Sequence, residues 1–179
     1  PRDVLAFASS TANDLSADAM AFLEAEFAEG AGALEAGDAY AAYLDKMRGR
    51  ISAAYSLPEG TDIFFAPSGT DLEYVALLAV AGRKPNGIAN LLLGADEVGS
   101  GCIHSAAGRY FANETALVTD VKPGQPIDGL PPIEMGDFPV RNPEGEAFDS
   151  ETLAAQMGSA ISKALAEGRH PLVHVVHGS

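Results

Sequence analysis

Basic residues are scarce in this chain. Eleven lysines and arginines stand against 25 aspartates and glutamates in 179 residues, a formal net charge of −14. A surface this acidic repels phosphate backbones and anionic lipid headgroups, so nucleic acid and membranes are poor partners. Cysteine is nearly absent. With Cys102 alone, no intrachain disulfide forms, and the expected compartment is a reducing one, the cytoplasm. No uninterrupted apolar run approaches the ~20 residues that span a bilayer. The opening stretch PRDVLAFASS holds too short an apolar segment for a secretory signal. Metal-ligand spacing is missing too. His174 and His177, three apart on an expected strand, point to opposite faces and cannot share an ion.

What is present is a core-forming composition, 47% apolar, in a chain long enough for one sizeable domain. Ser16 stands where a helix N-cap belongs, before Met20, Leu23 and Phe27 on one face. A second helix is announced by Tyr40, Tyr43, Leu44, Met47, Ile51 and Tyr55, spaced by three and four, and LPEG stops it. The rhythm then changes. TDIFFA reads as a short buried strand and Thr70 to Gly82 as a helix with Leu72, Val75, Leu78 and Ala79 inward. IANLLLGA reads as a strand, Cys102 to Phe111 as a helix, and TALVTDV as a strand. FPVRNPEGEAF suggests a hairpin turning at Asn-Pro-Glu-Gly, Asp149 or Ser150 caps a helix to about Glu167, and HPLVHVV closes as a strand. Apolar strands without clean alternation, separated by helices, predict an α/β fold: a three-layer, mainly parallel sheet with helices on both faces. The expected division is an N-terminal arm and helices over 1–57 and the α/β part over 58–179.

Ligands of such sheets bind beyond the carboxyl ends of the strands, which points to three junctions: APSGT, GADEVGSG and VVHGS. At the first, a helix start offers unpaired amides and partial positive charge to a phosphate. Gly69 allows close approach and can take a positive φ, and Ser68 and Thr70 add hydroxyls. The plain alternative is a strand–turn–helix connection in which a hydroxyl only caps. The stretch lacks the GxxxxGK[ST] pattern of a Walker loop. Ala66 stands where a G-x-S-x-G nucleophile elbow needs glycine. At the second junction, Gly99-Ser100-Gly101 begins like a dinucleotide fingerprint, but His104 occupies the third glycine position and the motif follows an expected second strand. Glu97 sits just past a buried strand, where a carboxylate can face a ligand or solvent. His177, at a strand's carboxyl end, is the first histidine candidate for a ligand contact, ahead of His104.

Together TDIFFAPSGTDLEYVALLAV, NLLLGADEVGSG, FPVRNPEGEAFD and HPLVHVVHGS resemble fold-type I pyridoxal-phosphate enzymes, most nearly the class V aminotransferase and cysteine desulfurase branch. The resemblance covers the element order of nearly the whole chain but few residues in motif. It implies that Ser68, Gly69 and Thr70 hold the cofactor phosphate and that Glu97 lies near its ring. Val98 stands where relatives carry a stacking ring, so Ser100 or His104 would serve instead. It implies that His177 and Ser179 stand beside the ring oxygen, and that Ser9, Ser10 and Thr11 reach the substrate mouth, as in homodimers of this branch. The implied substrate is a small amino-acid-like molecule and the implied reaction a transfer or a lyase step. The family also needs a Schiff-base lysine and an aspartate for the pyridinium nitrogen. Lys46, Lys84, Lys122 and Lys163 all read as solvated surface. The resemblance therefore implies the front portion of an enzyme whose remainder, or a second chain, brings those two groups. Two alternatives stay open: a non-catalytic relative holding a phosphate ligand or a partner, and a Rossmann-like nucleotide-binding domain.

Overall fold

A computed structural model describes residues 15–28 and 37–175. The chain divides into two compact units, residues 1–63 and 64–179. In the first, α1 (Ala17–Glu26) starts at Ser16, whose Oγ accepts from the Ala19 N–H at 3.1 Å. The second helix, α2 (Gly37–Tyr55), ends because Ser56 turns left-handed at φ 50°. The Ser56 N–H then reaches the Ala53 carbonyl and the Leu57 N–H the Ser52 carbonyl, a Schellman closure with serine in the glycine position. Tyr43 packs on Phe27 with ring centroids 5.7 Å apart, and Glu26 pairs with Lys46 and Arg50. The centre of the expected stripe is half-buried, while Tyr40 and Tyr55 at its ends are exposed.

The second unit is α/β. Its helices are α3 (Gly69–Val80), α4 (Ser100–Ala106) and α5 (Ser150–Ala166), and its strands β1 (Ile88–Leu93), β2 (Ile133–Phe138) and β3 (His170–Val175). All strand pairs are parallel and the order is β2-β1-β3, with Ile88 opposite Ile133 on one side and His170 on the other. The central strand buries five of its six residues fully, as a parallel strand covered on both faces must. Ile88 packs with Leu77 and Val80 of α3, and Asn90 Nδ2 donates to the Ala106 carbonyl at the end of α4. Ala89 and Leu91, on the opposite face, meet Ala160 and Ala164 of α5. Helices thus lie on both faces, with α3 and α4 on one and α5 on the other. One glycine is fixed by close approach: at Gly87, φ is +90° and a Cβ would stand 2.1 Å from the Pro132 carbonyl oxygen.

Four expectations are corrected. Residues 61–66 form no strand among the described residues, and Phe64 and Phe65 are exposed. TALVTDV is a turn. The Thr115 hydroxyl accepts from the Leu117 and Thr119 amides and the Thr119 carbonyl accepts from Thr115, so a local side-chain bond outcompetes the strand. The inward face of α3 is Leu77 and Val80, while Leu72 and Leu78 are exposed. Apolar residues occur all round this helix, so spacing alone gave two possible stripes. Finally, the helix expected over Cys102 to Phe111 runs instead from Ser100 to Ala106. The expected hairpin is present in short form: Asn142 to Gly145 make the turn, the Asn142 and Phe148 amides donate to the Glu146 and Val140 carbonyls, and Arg141 pairs with Ala147 antiparallel.

Candidate functional site

Since α3 precedes β1 and runs back along it, its N-terminus lies toward the carboxyl end of that strand. The stretch 94–99 carries the chain from that same end to the start of α4. The two helix starts meet. Thr70 Oγ1 is 3.4 Å from Cys102 Sγ, and the space that a Cβ on Gly101 would take is bounded by Thr70 Cγ2 at 3.4 Å and by Phe111. Thr70 is thus brought against the first turn of α4, where Ser100 stands.

Ser68 is a true N-cap. Its Oγ accepts from the Asp71 N–H at 3.2 Å and donates to Asp71 Oδ2 at 2.6 Å. That hydroxyl is committed to its own helix, and a carboxylate stands in the first turn, where the helix field favours it. Gly69 is the first helical residue and takes no positive φ, contrary to the expectation for it. Nothing lies within 4 Å of where its Cβ would be, and the same holds for Gly99. α4 begins at Gly99 with no side-chain cap. Among the described residues, the amides of Gly69, Thr70, Ser100 and Gly101 have no partner, as the first N–H groups of any helix lack one inside it.

Glu97 faces protein. Its Oε1 accepts from Arg141 Nε at 2.9 Å. Beside it, Asp96 takes the Val140 amide at 2.9 Å and the Arg141 amide at 3.1 Å. Those bonds, the Val140 amide foremost, hold the Asp96 carboxyl below the usual carboxylate range. The pair ties the loop after β1 to the loop after β2. His104 is exposed on α4, its ring beside Gly124. Ser9, Ser10, Thr11, His177 and Ser179 lie outside the described residues.

Gly99-Ser100-Gly101 does follow the first strand of the sheet, since 61–66 is not one. It stands six residues beyond Leu93, past a 3₁₀ turn over Ala95–Glu97, rather than in the tight strand-to-helix turn a dinucleotide fingerprint uses. The dinucleotide reading is weaker for it.

Three features were not found by sequence reasoning. Glu73 of α3 and His174 of β3 pair across the α3 face, Nδ1 to Oε2 at 2.6 Å, both largely buried. Asn90 is fully buried with its Oδ1 unpartnered, although its amide nitrogen is bonded. A cavity of approximately 570 Å³ opens beside the first turn of α3, walled by Tyr74, Tyr110, Phe111 and Ile127 and edged by Ser68 and Asp71. A lone asparagine in an apolar strand was the one legible signal among them. Among the described residues no group of three His, Cys, Asp or Glu is placed to hold a metal, and no helix is long and apolar enough to cross a membrane. No family model, curated protein or solved structure matches this chain.

Proposed function

We propose that this chain supplies the phosphate-holding part of a pyridoxal-phosphate-dependent transferase or lyase acting on a small amino-acid-like substrate. One observation carries the reading: the starts of α3 and α4 meet through Thr70, Gly101 and Cys102 at the carboxyl end of the central parallel strand. Parallel sheets bind ligands there, at the point where strand order reverses. In the order β2-β1-β3 the chain leaves β1 for β2 and then crosses back to β3, which puts that reversal beside β1.

The donor set suits a phosphate in part. Four amides without partners among the described residues and open space over Gly69 and Gly99 favour an anion. The Ser68 hydroxyl is spent on Asp71, so the role expected of Ser68 passes to the Gly69 and Thr70 amides and the Thr70 hydroxyl. Glu97 is held by Arg141 and leaves the cofactor ring to other groups. Bound there, pyridoxal phosphate would supply an electron sink for a substrate carbanion. This chain's residues would fix the phosphate and through it the orientation of the ring. Three of the four lysines are paired or placed elsewhere. Lys163 pairs with Glu134 and Glu167 on α5, Lys84 lies before β1 at its amino end, and Lys46 pairs with Glu26 in the first unit. As the resemblance implies, the amine partner of the cofactor aldehyde is assigned outside these 179 residues. The same observation favours a second reading, a module that holds a phosphate ligand and does no chemistry.

Equilibrium dialysis of the 179-residue protein against pyridoxal phosphate, with unphosphorylated pyridoxal as control, tests the assignment. Retention that requires the phosphate and is displaced by inorganic phosphate is the expected outcome. Thr70→Val, which removes a hydrogen bond to a charged group, should weaken it about tenfold or more. Equal retention of pyridoxal, or of the cofactor by Thr70→Val, removes the phosphate site. Borohydride reduction of the protein in complex with its lysine-bearing partner separates the two readings.

A further inference from the structure

The cavity beside α3 has a chemistry of its own. Its volume, approximately 570 Å³, lies in the range of small-molecule sites. Its walls are mostly hydrocarbon and aromatic: Tyr74 and Phe111, whose rings stack with centroids 6.2 Å apart, Tyr110 and Ile127. Among the described residues its ionisable edges besides the tyrosines are two carboxylates, Asp71 and Glu114, with no lysine, arginine or histidine lining it. Arg109, next to Tyr110, gives its guanidinium to the Gly124 carbonyl at 2.8 Å instead.

The tyrosine hydroxyls do not offset this acidity. Tyr74 donates to the Arg109 carbonyl at 2.8 Å. Burial, then the neighbouring Asp71, then Tyr110 push its phenol up to about 12, so it stays neutral. An anion entering the cavity meets two carboxylates and, among the described residues, no counter-charge. A cation meets the same two carboxylates among aromatic side chains, whose rings can attract it further.

We propose that this cavity binds a small apolar ammonium, an aryl- or alkylamine whose hydrocarbon body lies between Tyr74, Tyr110, Phe111 and Ile127 and whose charge is held by Asp71 and Glu114. The site does not rest on the phosphate reading. The donors of that reading are backbone amides at the helix starts, whereas the groups here are carboxylates and rings. The two sites adjoin at Ser68 and Phe111.

Three ligands with one hydrocarbon body test it by titration calorimetry on the 179-residue protein: 2-phenylethylammonium, 2-phenylethanol and 3-phenylpropionate. The ammonium should bind at least about tenfold more tightly than either of the others, with the preference falling as salt rises. Glu114→Gln should weaken the ammonium about three- to fivefold and leave the alcohol unchanged. Leu117 lines the cavity yet is 87% exposed, so Leu117→Ser leaves the fold intact and should weaken all three ligands alike. The proposal is overturned if the carboxylate or alcohol binds as well as the ammonium. It is also overturned if no heat of binding appears at millimolar ammonium, or if both variants bind as the parent does.

Discussion

The carboxyl end of this small sheet has two halves that differ in what satisfies them. On the β2 side the protein closes its own rim: Asp96 takes two backbone amides, and Glu97 takes the Arg141 side chain. On the α3–α4 side the amides of two helix starts have no partner among the described residues, two glycines border open space, and a cavity stands alongside. One sheet carries both. A half whose polar groups are paired within the chain adds stability there, and a half that leaves donors to solvent can meet water or a ligand. The largest expected effect removes what the halves share. Leu77 is fully buried between α3 and β1, so Leu77→Ala should cost ~2–5 kcal/mol of folding stability and abolish any difference between the halves. Urea unfolding followed by circular dichroism reads it.

A smaller effect breaks the closed half alone. The Asp96 carboxyl is held low by the Val140 amide first and by Arg141 after it. A carboxyl whose folded pKa is depressed stabilises the fold fully above its unfolded value, about 3.9. That stabilisation is lost as pH falls through the folded value. Asp96→Asn should therefore lower the melting temperature by a few degrees at pH 7, with the gap to the parent closing as the pH drops below about 4. Ligand retention at the α3–α4 half should be unchanged. A gap that persists to pH 3, or widens, would mean that Asp96 acts by shape and not by charge.

The same division explains what the sequence could reveal. Helices with strong caps were readable: Ser16 before α1, Asp149 before α5 and the stop at LPEG all act within one turn. So was the parallel arrangement, because IANLLL is apolar without alternation and HPLVHV nearly so. What depends on distant partners was not. TDIFFA has a strand's composition but forms no strand among the described residues, while IEMGDF, half-buried and carrying two acids and a glycine, became a strand because β1 lay beside it. At the site, the meeting of Thr70 with Cys102 needs the chain to fold back over a sequence separation of 32, which no local pattern encodes. Nor did the sequence show that Ser68 would turn to Asp71, since a serine in that position caps a helix and offers a donor equally well.

The smallest expected effect sharpens the comparison most. A glycine kept because the chain fills its space behaves unlike one kept because a ligand does. Gly87→Ala forces a Cβ against the Pro132 carbonyl at positive φ and should cost ~3 kcal/mol or more. Gly69→Ala puts a methyl group where nothing lies within 4 Å, on a residue already helical. Alanine favours the helix over glycine, so stability should rise slightly, by at most ~1 kcal/mol. If the open half serves a ligand, that same variant should lose phosphate-dependent retention of pyridoxal phosphate while its melting temperature holds or rises. A variant that melts higher and retains the cofactor as before would make Gly69 an ordinary first-turn residue, and the open amides of α3 a surface that water alone satisfies.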